Sequence, residues 1–582
     1  MGTDSQGAGH RSPDYEVVVI GTGFGGAILA CRTAKRWPGK VLVLERGKRY
    51  PLGSFPRSPR AMAENFWNLP FEDRAHPSSV KEKGELHGMF DIRSGTHIDA
   101  VLCAGLGGGS LIYANVFLEP PTQVFEQGWP QGWTRDRLTP YYAVAKSVLG
   151  SRPIPLGDDP RRQVIRAKLF DEVAEHMGKP HQWADLNVFF GNNFNDPLPI
   201  GEQDRNRYGA LQTSCVYCGE CDVGCNTQSK NTLDLNYLYV AEHRYQADIR
   251  TEHLVTKVVP INAAGEDDPT CLGESGYRVY FIDLMTGEET SKTAQRVVVS
   301  AGTLGSTELL MRCRDIHGTL PHVSQALGKR FSGNGDFLSF AMDGDRAADP
   351  NYGPVITRFA DHNLFSNFDR DRAFVLEDAA FPAFGAWYLE GATPATSIVR
   401  TVWNAVKHYI GRLMGGVSVG RMGGLLSDLL KNDVSYRSSV LLCMGLDKGN
   451  GTMRLNENGY VHVDWPFRDS IKLYNAILDA AKAFGKYINA KTVIAMPNWW
   501  WPARRNVTVH ALGGCILADD PGSGVTSAKP ETLGQVFGYT GLYVADGAIV
   551  PSALGANPTA TIAALAEMVA EGITHTTPTD AL

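Results

Sequence analysis

The chain has no run of about 18 apolar residues, so no membrane-spanning helix is expected. It has no basic excess either: 56 Lys and Arg stand against 62 Asp and Glu, a formal net charge of −6 over 582 residues. Nucleic-acid binders carry a basic face, and this balance gives no electrostatic case for a nucleic-acid partner. The residues before Tyr15 are polar and lead directly into a strand-like run. That leaves no room for the apolar stretch of a signal peptide, so cytoplasmic residence is the expectation. Internal repeats and low-complexity segments are absent. Cysteine is sparse: six of the 10 are scattered (Cys31, Cys103, Cys271, Cys313, Cys443 and Cys515), and in a reducing compartment they should be free thiols.

What is present is a globular composition, 43% hydrophobic and 20% charged. A chain of this length exceeds one simple core, and two intertwined domains are expected. The opening reads strand (Val17–Ile20), glycine turn, helix (Gly25–Arg36) and a second strand (Val41–Leu44) ending in Glu45. This is the start of a doubly wound α/β unit. Further strands of the same domain are expected at Arg296–Ser300 and Gly541–Ala545, feeding the turns Ala301-Gly302 and Asp546-Gly547. The fold class is therefore α/β, with a discontinuous Rossmann-like nucleotide-binding domain at 15–120, 210–320 and 505–582. A substrate domain at 121–209 and 321–504 lacks βα repetition and is expected to be an antiparallel sheet with helices. Its best helix is Arg468–Asn489 and its best strand Leu441–Leu446.

The turn Gly21-x-Gly23-x-x-Gly26 gives each glycine a task. The first makes the tight turn, the second lets backbone approach a pyrophosphate, and the third lets helix and strand pack closely. Glu45 is placed to accept hydrogen bonds from a ribose with free hydroxyls. By itself this fingerprint suits NAD and FAD equally. A second glycine cluster, Cys103 to Asn115, suggests close backbone approach to something flat or charged, with Ser110 able to bond a phosphate.

Five segments, GTGFGG (Gly21 to Gly26), AGLGGGSLIYAN (Ala104 to Asn115), AGTLGSTELL (Ala301 to Leu310), VHALGGC (Val509 to Cys515) and LYVADGAIVPSALGANPTATIAALAE (Leu542 to Glu567), occur in this order. Together they resemble the glucose–methanol–choline (GMC) oxidoreductases, and within them the bacterial cholesterol oxidases that hold FAD noncovalently. The resemblance implies FAD as cofactor, a bulky apolar alcohol such as a sterol as substrate, and oxygen or another redox acceptor as partner. It places the cofactor against Gly21, Gly23, Phe24, Gly25, Gly26, Glu45, Gly105, Gly109, Ser110, Tyr113, Asn115, Val255, Ala301, Gly302, Asp546, Gly547, Asn557 and Pro558. Tyr113-Ala114 stands where several members have Asn-Gly, and no histidine occupies that segment to form a covalent flavin link.

The resemblance also places His510 as the active-site histidine and Asn557 as its partner. The chemistry agrees. Hydride leaves an alcohol carbon more easily as the O–H proton departs, and a neutral imidazole can take that proton near physiological pH. The Asn557 amide can hold the same oxygen, and Pro558 suits the first turn of a helix whose positive end faces the flavin. Glu377 is the candidate carboxylate over the substrate, with Asp378 and Glu390 as alternatives. If buried, its pKa rises and it could move a proton between steroid carbons.

Cys215, Cys218, Cys221 and Cys225 have the C-x2-C-x2-C-x3-C spacing of a ferredoxin run, although Asn226 replaces the usual proline. Cys215, Cys221 and Cys225 also share the spacing of iron–sulfur dehydrogenases of the GMC family. An iron–sulfur cluster, a structural zinc, a pair of disulfides and four packed thiols all stay open. Of Trp499 to Trp501, at least one is expected to line the substrate cavity. Ser397–Met414 has an apolar face suited to packing on its own domain, to a mobile cover, or to transient contact with a membrane surface. Two rivals to the oxidase remain: a dehydrogenase passing electrons through a cysteine-bound cluster, and non-redox lyase chemistry on the same scaffold.

Overall fold

The computed structural model describes residues 13–68, 86–157, 159–382, 434–496, 499 and 504–582. Ser397–Met414, Glu390, Trp500 and Trp501 lie outside these. Among the described residues no helix is long and apolar enough to cross a membrane.

The first strand, Tyr15–Ile20, carries Val17–Ile20 fully buried, and Val41–Leu44 is buried throughout. Such unbroken apolar runs suit strands covered on both faces. They pair in parallel, with Asp248–Arg250 beyond Val41–Leu44. On the other side of the first strand lies Glu289–Val299, which does two jobs. Its first half pairs antiparallel with Tyr277–Asp283, whereas its second half runs parallel to Tyr15–Ile20 and to Leu542–Val544. The sequence pattern anticipated only the second half, because the exposed Glu289–Lys292 end lacks an apolar run.

The register aligns Ile20 with Val299, and Val299 with Val544. Three strands thus end at one level and release three turns side by side: Gly21–Gly26, Ser300–Gly302 and Ala545–Gly547. In open α/β sheets this crevice beyond the strand ends is where ligands bind. The helix after the first turn, Phe24–Arg36, ends with Lys35 and Arg36 against its negative terminus. It packs on the C-terminal helix, Thr559–Thr574. The two are joined by a buried bidentate pair, in which Arg32 donates to both oxygens of Glu567 at 2.8 Å. Tyr237 adds a third bond to that carboxylate at 2.7 Å.

A second, six-stranded sheet is antiparallel throughout, in the order Thr492–Ala495, Phe337–Met342, Ser439–Gly445, Phe374–Ala379, Ile356–His362 and His181–Trp183. The helices Ile165–His176 and Ile471–Tyr487 cover its back. Phe337 packs on Tyr474 there, and Arg166 pairs with Asp378 at 3.1 Å. Trp499 joins this back-side cluster, edge-on to Phe337 with ring centroids 5.1 Å apart. Of the three adjacent tryptophans, the described one is therefore a core residue.

The front row of the same sheet is set by register. Leu338 lies opposite Leu442, Leu442 opposite Glu377, and Glu377 opposite Phe359. Directly opposed residues share a face. A single carboxyl therefore stands between apolar neighbours in this row, which ends at Gln182 beyond Phe359, and Leu338 and Leu442 in it are only partly buried.

Candidate active site

The three glycine turns meet by close contact. A Cβ on Gly25 would sit 1.4 Å from the Ala545 carbonyl oxygen, and one on Gly26 would sit 2.0 Å from that of Gly21. Only glycine fits there, so the first turn and the last strand are interlocked. Gly108 also approaches Gly23, with a Cβ there meeting the Gly23 Cα at 2.7 Å. This stacks the second glycine cluster on the first. By contrast, a Cβ on Gly23, Gly109 or Gly302 would have no described atom within 4 Å. These three backbone segments face open space.

Several polar candidates turn inward. The Glu45 carboxylate accepts from the Thr22 hydroxyl at 2.6 Å, the Thr22 N–H at 3.1 Å and the Gly47 N–H at 2.9 Å. It pins the glycine turn, and burial raises its pKa. Ser110 likewise donates to the Gly107 carbonyl at 2.7 Å and accepts from Leu233 at 3.1 Å, which fixes the loop. Asp546 accepts from Gly302 at 2.9 Å, Ser306 at 2.5 Å and Ala548 at 2.8 Å, tying the second and third turns together. Burial pushes its pKa up to about 6 against those bonds.

The remaining candidates make contacts within the protein. Phe24 meets Tyr113 edge-on with centroids 5.6 Å apart. Gly105 bridges to Lys48, and a Cβ on Gly547 would press on the Thr303 hydroxyl. The Ala301 N–H is taken by Ser306. Val255 lies at the bulge of a strand whose His253 N–H bonds the Glu45 carbonyl at 2.9 Å. Asn115 is fully buried in left-handed backbone (φ 71°), and its side-chain amide lies close to the Cys221 thiol.

Sequence-distant groups converge at the other end of the crevice. His510 follows the strand Asn506–Thr508, and its Nδ1 lies 2.6 Å from Asp336 Oδ1. Asp336 Oδ2 accepts from Val509 N–H at 2.9 Å and His510 N–H at 3.2 Å, and also from the Thr508 hydroxyl. Asn557 directly precedes Pro558, which caps the helix Thr559–Thr574, and its Oδ1 is buried without a partner among the described residues.

Glu377 is 0% exposed, and among the described residues neither of its oxygens has a partner in hydrogen-bond geometry. Burial first, then the neighbouring charges of Asp378 and Asp336, push its pKa well above the ordinary carboxylate range. The Asn557 amide is close enough to oppose that rise. Asn557 thus lies beside Glu377, and Asp336, the carboxylate bonded to His510, acts on Glu377 through its charge. Of the alternatives to Glu377, Asp378 points to the back face and is neutralised by Arg166.

Asp336 and Asn334 were not anticipated from sequence. Both belong to SGNGD, Ser332 to Asp336, which reads as an ordinary turn. Its one available signal was a pair of polar residues beside glycine, in left-handed backbone at Asn334 (φ 54°) and Gly335 (φ 62°).

The four-cysteine run requires a correction. Cys215, Cys221 and Cys225 are buried and Cys218 is exposed, all along the walls of one cavity beside Lys230. Among the described residues, however, no three His, Cys, Asp or Glu side chains converge as metal ligands would. The loop turns at Gly219 (φ 68°) and Gly224 (φ 89°). Burial raises the pKa of Cys215, Cys218 and Cys221, which keeps them as thiols. The buried Lys230 ammonium fills the loop's interior, donating to the carbonyls of Cys221 at 2.8 Å, Tyr113 at 2.9 Å and Leu111 at 3.0 Å. The cysteines do not fit an iron–sulfur cluster here.

Comparison with known proteins identifies the class. The GMC oxidoreductase family matches twice, at residues 204–329 and 448–566. The chain belongs to this family and is an alcohol oxidoreductase of the GMC type. It is 28% identical to a cholesterol oxidase of Acinetobacter baumannii, over 95% of this chain and 93% of that one. It is also 28% identical to a cholesterol oxidase of Mycobacterium tuberculosis, over 96% and 91% respectively. Pyridoxine 4-oxidase from Mesorbium loti shares the fold, with a TM-score of 0.59 at 16% identity over 97% of this chain and 99% of that one. GMC oxidoreductases are FAD flavoproteins. The residues present fit FAD: backbone at Gly23, Gly109 and Gly302 with no described atom near it, and an Asn557 amide oxygen without a partner among the described residues.

Proposed function

We propose that the enzyme oxidises the CH–OH group of a bulky, apolar, sterol-like alcohol to a ketone or aldehyde, with His510 as base. Bound FAD would supply the hydride acceptor. Gly21, Gly23 and Gly26 would hold its diphosphate by backbone N–H groups, and Gly109, Gly302 and Asn115 would border its other polar atoms. At the reacting end His510 Nε2 takes the hydroxyl proton, and the Asn557 amide holds the same oxygen in place. The positive N-terminus of the helix Thr559–Thr574 favours negative charge gathering nearby. Glu377, kept neutral by burial, stands over the apolar row as a proton carrier rather than a charge.

The imidazole of His510 held by Asp336, with Asn557 beside the buried Glu377, supports this reading. A carboxyl set between Leu442 and Phe359 supports an apolar substrate over a sugar. The two-domain division is part of the same proposal. It is supported by the parallel sheet, which draws its strands from residues 15–44, 248–299 and 542–544, and by the antiparallel sheet, which draws from 181–183 and 337–495.

The test is anaerobic mixing of the flavin-loaded protein with cholesterol, a second 3-hydroxysteroid and 1-dodecanol, followed by flavin absorbance. At least one sterol should bleach the flavin. His510→Ala should keep its flavin and lose about 10²–10⁴-fold in reduction rate. Unchanged single-turnover reduction would remove His510 from its role. Peroxide formed on admitting air distinguishes an oxidase from a dehydrogenase, and turnover without bleaching would indicate lyase chemistry.

A further inference from the structure

We infer that the loop Ser332–Asp336 positions both members of the reacting pair, Asp336 setting His510 and Asn334 setting Asn557. This rests on the reading of His510 as the base.

Asp336 is buried, and its carboxylate can only accept. Oδ2 is occupied by the Val509 and His510 N–H groups and the Thr508 hydroxyl. Oδ1 faces His510 Nδ1 at 2.6 Å, so Nδ1 must carry the proton. In the neutral ring Nε2 is then the bare nitrogen, the form a base needs. A carboxylate behind a histidine acts in this way, by fixing tautomer and orientation, in catalytic triads.

The second arm is built from Asn334, two residues earlier. Its Nδ2 donates to the Ala556 carbonyl at 2.8 Å, and its Oδ1 accepts from Leu554 at 2.8 Å and Gly555 at 3.1 Å. These are the three residues immediately before Asn557. The loop is itself clamped by the buried Asp447, which accepts from Ser332 at 2.6 Å and Gly333 at 2.9 Å. One turn, held from behind, thus fixes residues that lie 47 positions apart in the chain (510 and 557).

Double-mutant cycles on the flavin-loaded enzyme test both arms, using whichever panel alcohol reduces wild type fastest. In Asp336→Asn the amide oxygen takes over the three Oδ2 donors, which turns the NH2 toward His510 Nδ1. That forces the proton onto Nε2. Flavin reduction should fall on the order of 10³-fold at neutral pH with flavin loading unchanged. Added to His510→Ala, the same change should cost no further rate, because the residue acts through the imidazole. Nitrogen-15 spectra of histidine-labelled enzyme should show the His510 proton move from Nδ1 to Nε2.

Asn334→Asp keeps the acceptor but loses the bond to Ala556. It should cost on the order of 10²-fold, and nothing in an Asn557→Ala background. An Asp336→Asn protein that loses its flavin, or that slows His510→Ala by its full factor, overturns the first arm. Additivity of Asn334→Asp with Asn557→Ala overturns the second. If His510→Ala reduces flavin at the wild-type rate, the reading of the base fails and the inference falls with it.

Discussion

Replacing Glu377 by Gln should make the protein more stable at neutral pH, by an amount that grows with pH. The carboxyl is fully buried, has no partner in hydrogen-bond geometry among the described residues, and lies near the charges of Asp378 and Asp336. Its pKa in the folded protein is therefore raised, mainly by burial. An acid of this kind keeps its proton in the native state after the unfolded chain has released it. Native protein then binds more protons than unfolded protein, so stability falls as pH rises past the unfolded value of about 4.3. Each pH unit costs about 1.4 kcal/mol until Glu377 ionises in place. The loss stops growing at the pH where Glu377 releases its proton in the folded protein. Glutamine has the shape of the protonated acid and does not titrate. Urea unfolding midpoints of flavin-loaded wild type and Glu377→Gln should coincide near pH 4 and diverge above it, with the variant the more stable. Parallel midpoints from pH 4 to pH 8 would show that Glu377 titrates normally, in contact with water, and would withdraw it from the substrate face. In the same variant, alcohol oxidation should persist while any proton shift between steroid carbons is lost.

The glycines of the first turn should separate by function. Gly23→Ala meets open space and should fold normally while raising the flavin dissociation constant by about tenfold or more. Gly25→Ala drives a methyl group into the Ala545 carbonyl and should fail to give folded, flavin-loaded protein. Similar flavin affinity in wild type and Gly23→Ala would argue against a pyrophosphate at that turn. Arg32→Met strands the buried Glu567 carboxylate and should cost about 3–5 kcal/mol in urea unfolding, whereas Arg32→Met with Glu567→Leu should recover most of it. A single variant within 1 kcal/mol of wild type would mean that the pair contributes little to joining the two terminal helices.

How much could be read from the chain depended on the range over which each feature is determined. The first glycine turn, its flanking strands and the helix Ile471–Tyr487 follow from local pattern, and their boundaries differ from expectation by only a few residues. The cysteine run shows the limit of spacing. Its intervals match a ligand set, yet the folded loop turns at Gly219 and Gly224 and takes the Lys230 ammonium inside. Glu45 and Ser110 were expected to bond a ribose and a phosphate, whereas their side chains hold the loops. Asp336 and Asn334 were invisible because their meaning lies 174 and 220 residues away, in hydrogen bonds to His510 and Leu554. A reacting pair can be recognised from the residues that flank it. The group that sets its tautomer belongs to no local motif, because an ionised carboxylate can do that work from any segment the fold brings within about 3 Å. For this chain, that segment is a five-residue turn anchored on Asp447, and the side chains it aims are the ones on which the proposed chemistry depends.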